Sequence, residues 1–223
     1  MEINFFNYKM RNSDERKKLI HDDTLISKSK NNYIEFGYDY FDNKNNPLGY
    51  GGYEYDGRFE TIAKDIVEHY KLKKGMRILE IGCAKGFLLV EFKKMGMKVD
   101  GLDISAYVIE NSHSLVRNDL QRHNVIDGLP FENDTFDFII SKEVLPHIPK
   151  DKIDFLLNEI IRCSKDKRSI FFEIQTGRTE KELEYMKKWD STHKIMWSPE
   201  MWNDFFKKKR YLGDYHYKVL IEE

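Results

Sequence analysis

Three residues within the stretch from Arg77 to Ser105 have types and spacings that suit binding of a nucleoside. Gly82 and Gly86 follow a run of apolar residues, and Asp103 comes about twenty residues later. Glycine lacks a Cβ, so a turn built from it lets the backbone approach a ligand and adopt positive φ. A carboxylate at the end of the next strand can accept hydrogen bonds from both hydroxyls of a ribose. The spacing predicts a site for an adenosine-containing cofactor.

The hydrophobic periodicity predicts the elements that position these residues. Runs that are apolar on both faces predict strands at 76–81, 97–104, 123–127, 135–141, 168–174 and 214–223. Apolar residues at helical spacing predict helices at 59–70, 84–95, 105–117, 151–163 and from Pro199 onwards. This alternation predicts a doubly wound α/β fold, with a mainly parallel Rossmann-like sheet of six or seven strands and helices on both faces.

The chain is predicted to have one domain with an appendage. Residues 1–57 show no regular hydrophobic period but are rich in aromatic residues, glycine and asparagine. We expect them to form an arm or lid on a domain that spans residues 58–223. A length of 223 residues is enough for one sizeable core.

The glycine spacing separates two classes of cofactor. A dinucleotide site requires G-x-G-x-x-G, but Ala84 and Phe87 occupy the second and third glycine positions here. The pattern E-x-G-x-A-x-G, which begins at Glu80, instead resembles the first motif of class I S-adenosylmethionine-dependent methyltransferases. The segments "DGLDIS" and "IDGLPFENDTFDFIISKEVLPHIP" are similar to two further motifs of that family, in the same order. The resemblance covers about residues 60–165.

On these motifs the resemblance implies a set of contacts to S-adenosylmethionine. Glu80 would fix the glycine turn, Asp103 would bind the ribose hydroxyls, and Ile104 would lie against the adenine. The other implied contacts come from the turn, the residues beside the base and those beside the methionine part: Gly82, Cys83, Ala84, Gly86, Asn124, Val125, Ser141 and Lys142. Two positions depart from the family pattern, since Ala84 replaces a common glycine and Asn124 stands where an acid often meets the adenine amine.

The candidates for catalysis and acceptor binding lie outside the glycine turn. His147 is in the loop after the fourth strand of the family fold, which faces the methyl group, and an imidazole can take a proton from a hydroxyl near neutral pH. The alternative is that it only caps or packs this loop. Tyr50, Tyr53 and Arg58 could form a lid whose guanidinium binds an anionic group, or they could be packing and surface residues.

Composition limits the partners. Lys and Arg total 37 and Asp and Glu total 38, so no overall field attracts nucleic acid or an anionic membrane. Two cysteines, Cys83 and Cys163, form neither a disulfide framework nor a metal-binding pair, and we expect no metal. The sequence shows neither a signal peptide nor a transmembrane run. We expect a soluble, cytoplasmic protein that acts on a small molecule, with its oligomeric state left open.

These observations predict an enzyme that transfers a methyl group from S-adenosylmethionine to an oxygen, or alternatively a nitrogen, of a small polar acceptor. The segments "YGGYEYDGR" and "SPEMW" resemble small-molecule or sugar methyltransferases encoded with surface-polysaccharide genes, which implies a sugar or phosphorylated metabolite as acceptor. Two alternatives stay open, a partner subunit that binds the cofactor without catalysis and a nucleotide-dependent oxidoreductase.

Overall fold

The computed structural model describes residues 1–7, 13–22, 36–46 and 48–223. Its sheet contains β1 (Arg77–Ile81), β2 (Lys98–Asp103), β3 (Leu120–Arg122), β4 (Phe138–Lys142), β5 (Ile170–Gln175) and β6 (Asp214–Lys218). The strand order is β3-β2-β1-β4-β5-β6, and every pairing is parallel. The doubly wound, parallel sheet is therefore confirmed, with six strands. The order reverses between β1 and β4, which opens a crevice at their carboxyl ends.

Helices cover both faces of the sheet. The described helices are α1 (Ser13–Ile20), α2 (Tyr38–Phe41), α3 (Glu60–His69), α4 (Phe87–Lys94), α5 (Ala106–Glu110), α6 (Ile153–Cys163), α7 (Glu180–Trp189) and α8 (Pro199–Lys209). Alternate strand residues point to opposite layers because side chains in a strand have a period of two. Ile78 and Phe138 pack with α3 and α4, whereas Leu79 and Ile139 pack with α6 and α8.

The described N-terminal residues lie on this domain. The backbone N of Ile3 donates to the carbonyl of Tyr215 (2.8 Å), so the first residues extend the sheet beside β6. Phe5 and Phe6 belong to the same core as α3 and α4. Helix α1 packs against α7, where Ile20 is buried among residues that include Tyr185.

Two sequence predictions are wrong at the edge of the sheet. The predicted helix 105–117 ends at Glu110, because the hydroxyl of Ser112 donates to the Ile109 carbonyl and the chain then turns away. The predicted strand 123–127 is shifted, since β3 comprises residues 120–122 and residues 125–127 form a 3-10 turn. Edge strand β3 buries only Leu120, so it carries no apolar run that a sequence could reveal.

None of the helices described is long and apolar enough to span a membrane.

Candidate active site

A cleft of about 900 Å³ opens at the carboxyl ends of β1, β2 and β4. This is the place where open parallel sheets bind ligands. Its walls come from the turn after β1, the loops after β2 and β3, the 3-10 turn Leu145–His147, and parts of segments 36–50 and 184–194. The fold therefore brings together segments that lie more than a hundred residues apart in the sequence.

The turn between β1 and α4 is built on residues at positive φ. Gly82 has φ 73°, Ala84 has 47° and Gly86 has 75°. A Cβ on Gly82 would lie 2.1 Å from Cγ2 of Val144, and one on Gly86 would lie 2.7 Å from Cγ2 of Val116. Packing within the protein thus requires both glycines. At Gly82 the space is taken by Val144, where the sequence had indicated space for a ligand.

Asp103 fastens this turn to the end of β2. Its Oδ2 accepts a hydrogen bond from the backbone N of Ala84 (2.8 Å), and its Oδ1 accepts one from the backbone N of Ser105 (2.9 Å). Burial raises the pKa of the carboxyl, and these backbone N–H groups oppose that effect. Asp103 also lines the cleft, and each oxygen keeps a second lone pair. The carboxylate can therefore still accept hydrogen bonds from ribose hydroxyls.

Glu80 and Ser141 are buried polar residues at the ends of the paired strands β1 and β4. Within the described structure, Oε2 of Glu80 and Oγ of Ser141 have no hydrogen-bond partner. Burial raises the pKa of Glu80 to about 8, while Lys142 opposes this effect and Asp103 adds to it. Buried polar atoms without partners are destabilising. Neither Glu80 nor Ser141 is among the residues that line the cleft, so the structure does not bring these two predicted cofactor residues to it.

The other end of the cleft is apolar. Ile104 is 47% exposed although it is a large aliphatic residue, and it lines the cleft together with Val125 and Ile126. These side chains offer a surface against which a base could lie. The Asn124 side chain lines the same region but accepts a hydrogen bond from the backbone N of Ile126 (3.4 Å), so it also caps the 3-10 turn.

Cys83 is buried, and Lys142 is paired with a neighbouring carboxylate. Cys83 is 2% exposed, and burial raises the pKa of its thiol well above the usual value, which disfavours the reactive thiolate. Lys142 lines the cleft, but its Nζ is 2.7 Å from Oε1 of Glu143. Burial opposes ionisation of Glu143, yet Lys142 and Lys218 outweigh it and keep the pKa of Glu143 well below its usual value.

The aromatic arm forms one wall of the cleft. Four of its described residues line the cleft: Phe36, Tyr40, Phe41 and Tyr50. Tyr33, another aromatic residue of the predicted arm, lies outside the described residues. Tyr53 is instead placed behind the wall, where its ring stacks on Phe87 at 4.8 Å. Arg58 is not brought to the cleft, because its guanidinium bonds to the carboxylate of Asp56 in an exposed turn (2.6–2.9 Å).

The arm is fastened to the glycine turn by buried polar contacts. Lys85, next to Gly86, places Nζ 2.6 Å from Oδ2 of Asp42 and also donates to the carbonyl of Tyr53 (2.9 Å). Tyr107 of α5 donates to the same Asp42 carboxylate (2.5 Å). The two side chains of the ion pair are only 10% and 19% exposed. The arm is therefore attached to the residues that form the turn.

At the far end of the cleft, His147 takes part in a chain of hydrogen bonds. Its Nδ1 lies 2.9 Å from Oγ1 of Thr192, which in turn donates to Oδ1 of Asp190 (2.5 Å). Tyr40 of the arm donates to the other carboxylate oxygen of Asp190 (2.8 Å). His193 lies beside His147 with ring centroids 4.5 Å apart, and burial together with His147 lowers the pKa of His193 to about 4.

Lysine side chains border the same end of the cleft. Lys187, Lys188 and Lys194 all line it, and Lys188 pairs with Glu184 at 2.8 Å. Lys187 and Lys194 are exposed and make no ion pair with any residue that the structure describes.

The sequence predicted no site residue in the segment 184–194. It named His147 alone at this end of the cleft, whereas the structure adds Tyr40, Asp190, Thr192 and the lysines. The polar run "DSTHK" at 190–194 was the one available signal. It has no motif spacing relative to His147, so only the fold relates the two.

The sequence profile of a methyltransferase domain matches residues 55–209, more than half of the chain. The chain belongs to this methyltransferase family. It carries the domain of an S-adenosylmethionine-dependent methyltransferase, and the cleft lined by Gly82, Ala84 and Asp103 is the candidate site for that cofactor.

Two curated relatives and one solved structure illustrate the similarity. The methyltransferase is 30% identical to the sterol 24-C-methyltransferase of Schizosaccharomyces pombe over 120 residues, 48% of this chain and 31% of that enzyme. It is 31% identical to the ubiquinone biosynthesis O-methyltransferase of Chelativorans sp. over 151 residues, 59% of this chain and 58% of that enzyme. It therefore spans less than two thirds of either relative. Its fold is similar to that of a SAM-dependent methyltransferase from Archaeoglobus fulgidus, with TM-score 0.55, 21% identity and 67% of each chain covered.

Proposed function

We propose that this methyltransferase methylates an oxygen of a small polar acceptor that carries an anionic group, such as a sugar phosphate or another phosphorylated metabolite used in surface-glycan synthesis. The observation that carries the proposal is the placement of His147 in the same cleft as Asp103, at the end bordered by lysines. One end suits the cofactor, and the other combines a base with cationic side chains.

The chemistry of an oxygen acceptor explains the need for His147. When bound, S-adenosylmethionine supplies a methyl group on a positively charged sulfur, which is already activated for displacement. A hydroxyl must lose its proton as its oxygen becomes bonded to carbon, whereas a neutral amine can attack through its own lone pair. His147 would receive that proton. The two relatives are a C-methyltransferase and an O-methyltransferase, so the choice of oxygen depends on the chemistry of His147.

The rim favours an anionic acceptor. Lys187 and Lys194 are exposed at the cleft with no carboxylate partner among the described residues, so a phosphate or carboxylate can approach them without breaking an ion pair. A cleft of about 900 Å³ is at the upper end of the range for small-molecule sites, which suits a cofactor and a small acceptor together. These lysines take the role that the sequence had assigned to Arg58.

We also propose that the arm acts as a lid on the methyltransferase domain. Phe36, Tyr40, Phe41 and Tyr50 form an aromatic wall, and they would exclude water that otherwise solvates the attacking hydroxyl. The sequence predicts an arm or lid over residues 1–57, of which we assign the lid role to residues 36–46 and 48–57, and we take residues 58–223 as the methyltransferase domain. The lid role rests on position and packing, since Asp42 and Tyr53 attach it to Lys85.

A turnover assay with paired acceptors tests the proposal. S-adenosylhomocysteine formation would be followed with monosaccharides and with the corresponding sugar phosphates. We expect turnover with a phosphorylated member, and the double variant Lys187→Met/Lys194→Met should raise its KM about tenfold or more while leaving affinity for S-adenosylhomocysteine unchanged. Lys208→Met, an exposed lysine that does not line the cleft, is the matched control.

The outcomes separate the alternatives. Equal methylation of neutral and phosphorylated sugars would contradict the anionic acceptor. Tight binding of S-adenosylhomocysteine with no turnover on any acceptor would favour the non-catalytic partner subunit.

A further inference from the structure

We propose that Thr192 and Asp190 are positioning residues that fix the tautomer of His147, so that its Nε2 carries the lone pair that accepts the proton of the acceptor. This inference rests on the proposed function for its catalytic meaning, but its structural content can be measured without any acceptor. It identifies two residues that lie more than forty positions from His147 in the sequence.

Asp190, at the end of the chain of hydrogen bonds, is only 5% exposed. Its carboxylate accepts three hydrogen bonds: from the hydroxyl of Tyr40 (2.8 Å), from the backbone N of Thr192 (2.9 Å) and from Oγ1 of Thr192 (2.5 Å). Burial opposes ionisation, but His147, His193 and the bonds from Thr192 outweigh it, so the pKa of Asp190 is lowered. An ionised carboxylate can only accept hydrogen bonds.

The direction of the next bond follows from counting protons. Thr192 has one hydroxyl proton, and Asp190 receives it. Oγ1 of Thr192 therefore has only lone pairs to offer to Nδ1 of His147 at 2.9 Å. Nδ1 must carry the proton in this bond, so neutral His147 has its lone pair on Nε2. The hydrogen bond that one ring nitrogen makes sets the state of the other.

The arm takes part in this arrangement. Tyr40 belongs to α2. Its hydroxyl donates to Oδ2 of Asp190, whereas the hydroxyl of Thr192 donates to Oδ1. The ring of Phe36, also from the arm, lies edge-on to His147 with centroids 5.7 Å apart. The wall that would exclude water thus also contacts the residues that orient the base.

A metal ion is the rival explanation for this cluster. His147, Asp190 and His193 offer ligand atoms that all lie within 4.8 Å of one another, and imidazole with carboxylate suits a transition-metal ion. A metal bound through Nδ1 of His147 would have to displace Thr192, whose hydroxyl bonds to both Asp190 and His147. Oδ1 of Asp190 already accepts two hydrogen bonds from Thr192, and Oδ2 accepts one from Tyr40 and keeps one lone pair. These contacts favour the hydrogen-bonded chain, and metal titration tests the alternative, since neither ring nitrogen of His193 has a hydrogen-bond partner within the described structure.

Nitrogen NMR of the imidazole rings tests the inference on the full chain with saturating S-adenosylhomocysteine. The spectrum of His147→Gln identifies the signals of His147 among those of the seven histidines. In the wild type we expect a protonated Nδ1 and an unprotonated Nε2. Thr192→Val keeps the side-chain shape but cannot accept a hydrogen bond, so the Nδ1-protonated form should be lost, whereas Thr192→Ser should retain it. Thr135→Val, which removes a surface hydroxyl bonded to the Glu132 carbonyl, is the control and should change nothing at His147.

Three results would overturn the inference. The first is a wild-type His147 protonated at Nε2, and the second is an unchanged tautomer in Thr192→Val. The third is stoichiometric binding of added Zn²⁺ that shifts the signals of both His147 and His193. None of these results depends on turnover, so a failed search for an acceptor would contradict the proposed function and leave the tautomer measurement valid.

Once an acceptor is known, kinetics gives a second test. Thr192→Val should lower kcat about 10- to 100-fold with KM little changed, because the base is misoriented while both binding regions remain. Thr192→Ser should restore most of the rate. A change confined to KM would mean that Thr192 acts in acceptor binding.

Discussion

Asp103 holds the glycine turn and lines the cleft with one carboxylate. Its bonds to the backbone of Ala84 and Ser105 hold the turn in place, and its remaining lone pairs can accept hydrogen bonds from a ligand in the cleft. A substitution there has two effects, one on the turn and one on the ligand. Asparagine has the same shape but only one acceptor oxygen, so it also loses one bond to the turn, and urea unfolding of the variant measures that effect separately.

Asp103→Asn should weaken binding of S-adenosylhomocysteine tenfold or more, because charge-assisted hydrogen bonds contribute about 1.5–3 kcal/mol. Titration calorimetry would measure it. Asp100→Asn is the matched control, since Asp100 lies on the same strand but pairs with Arg77 (2.7 Å). Normal affinity in Asp103→Asn would remove Asp103 from the cofactor site.

Glu80 makes stability depend on pH. Its carboxyl has a pKa of about 8 in the folded protein, against about 4.3 in an unfolded chain. Between these values the folded state binds one more proton, so stability falls as pH rises, by at most about 1.4 kcal/mol per pH unit. Glu80→Gln should flatten this dependence between about pH 5 and pH 8 in urea unfolding. Parallel pH dependences of the two proteins would contradict the assignment.

At the scale of the element, the turn from β1 to α4 is fixed by its neighbours. Gly82→Ala should destabilise the protein by about 2–5 kcal/mol, of which about 1–2 comes from the left-handed backbone and about 1–3 from overlap with Val144. The penalty should be smaller when the same change is made in a Val144→Ala background. Urea unfolding of the four proteins gives both penalties, and equal values would exclude Val144 as the cause.

The aromatic arm depends on a buried ion pair to stay on the glycine turn. Asp42→Asn removes the charge that faces Lys85 and should speed proteolysis within residues 36–58 several-fold, because breaking a buried pair leaves an unpaired charge. Saturating S-adenosylhomocysteine should slow cleavage there in the wild type. Lys44→Met is the control, since its pair with Glu54 is over 70% exposed and contributes little. Cleavage that is insensitive to both the ligand and Asp42→Asn would contradict the lid.

At the scale of the whole molecule, the cofactor site joins most of the sheet to the arm, so ligand binding should stabilise the fold as a unit. S-adenosylhomocysteine at a hundred times its Kd contributes about 2.7 kcal/mol, which for a protein of this size raises Tm by about 5–10 °C. NAD at the same concentration should leave Tm unchanged in a thermal melt. The opposite pattern would favour the oxidoreductase alternative.

Local sequence patterns predicted the central strands of the sheet and the glycine turn beside Asp103. Strands that are buried on both faces carry continuous apolar runs, and Gly82, Gly86 and Asp103 stand at local spacings that the turn requires. These patterns can be recognised in a single sequence because each depends on residues close together in the chain. The edge strand β3 was misplaced for the same reason, since one buried residue leaves no pattern.

The end of the cleft near His147 depends on contacts between distant parts of the chain. Arg58 was expected at the cleft, but a local carboxylate, Asp56, binds it in an exposed turn. Thr192 and Asp190 follow α7, and their relation to His147 arises because the chain after α7 returns to the loop that follows β4, where the backbone N of Lys194 bonds to the Pro146 carbonyl (2.7 Å). Contacts between segments so far apart depend on how helices and loops pack on the sheet. The spacing of these residues in the sequence therefore does not predict that packing.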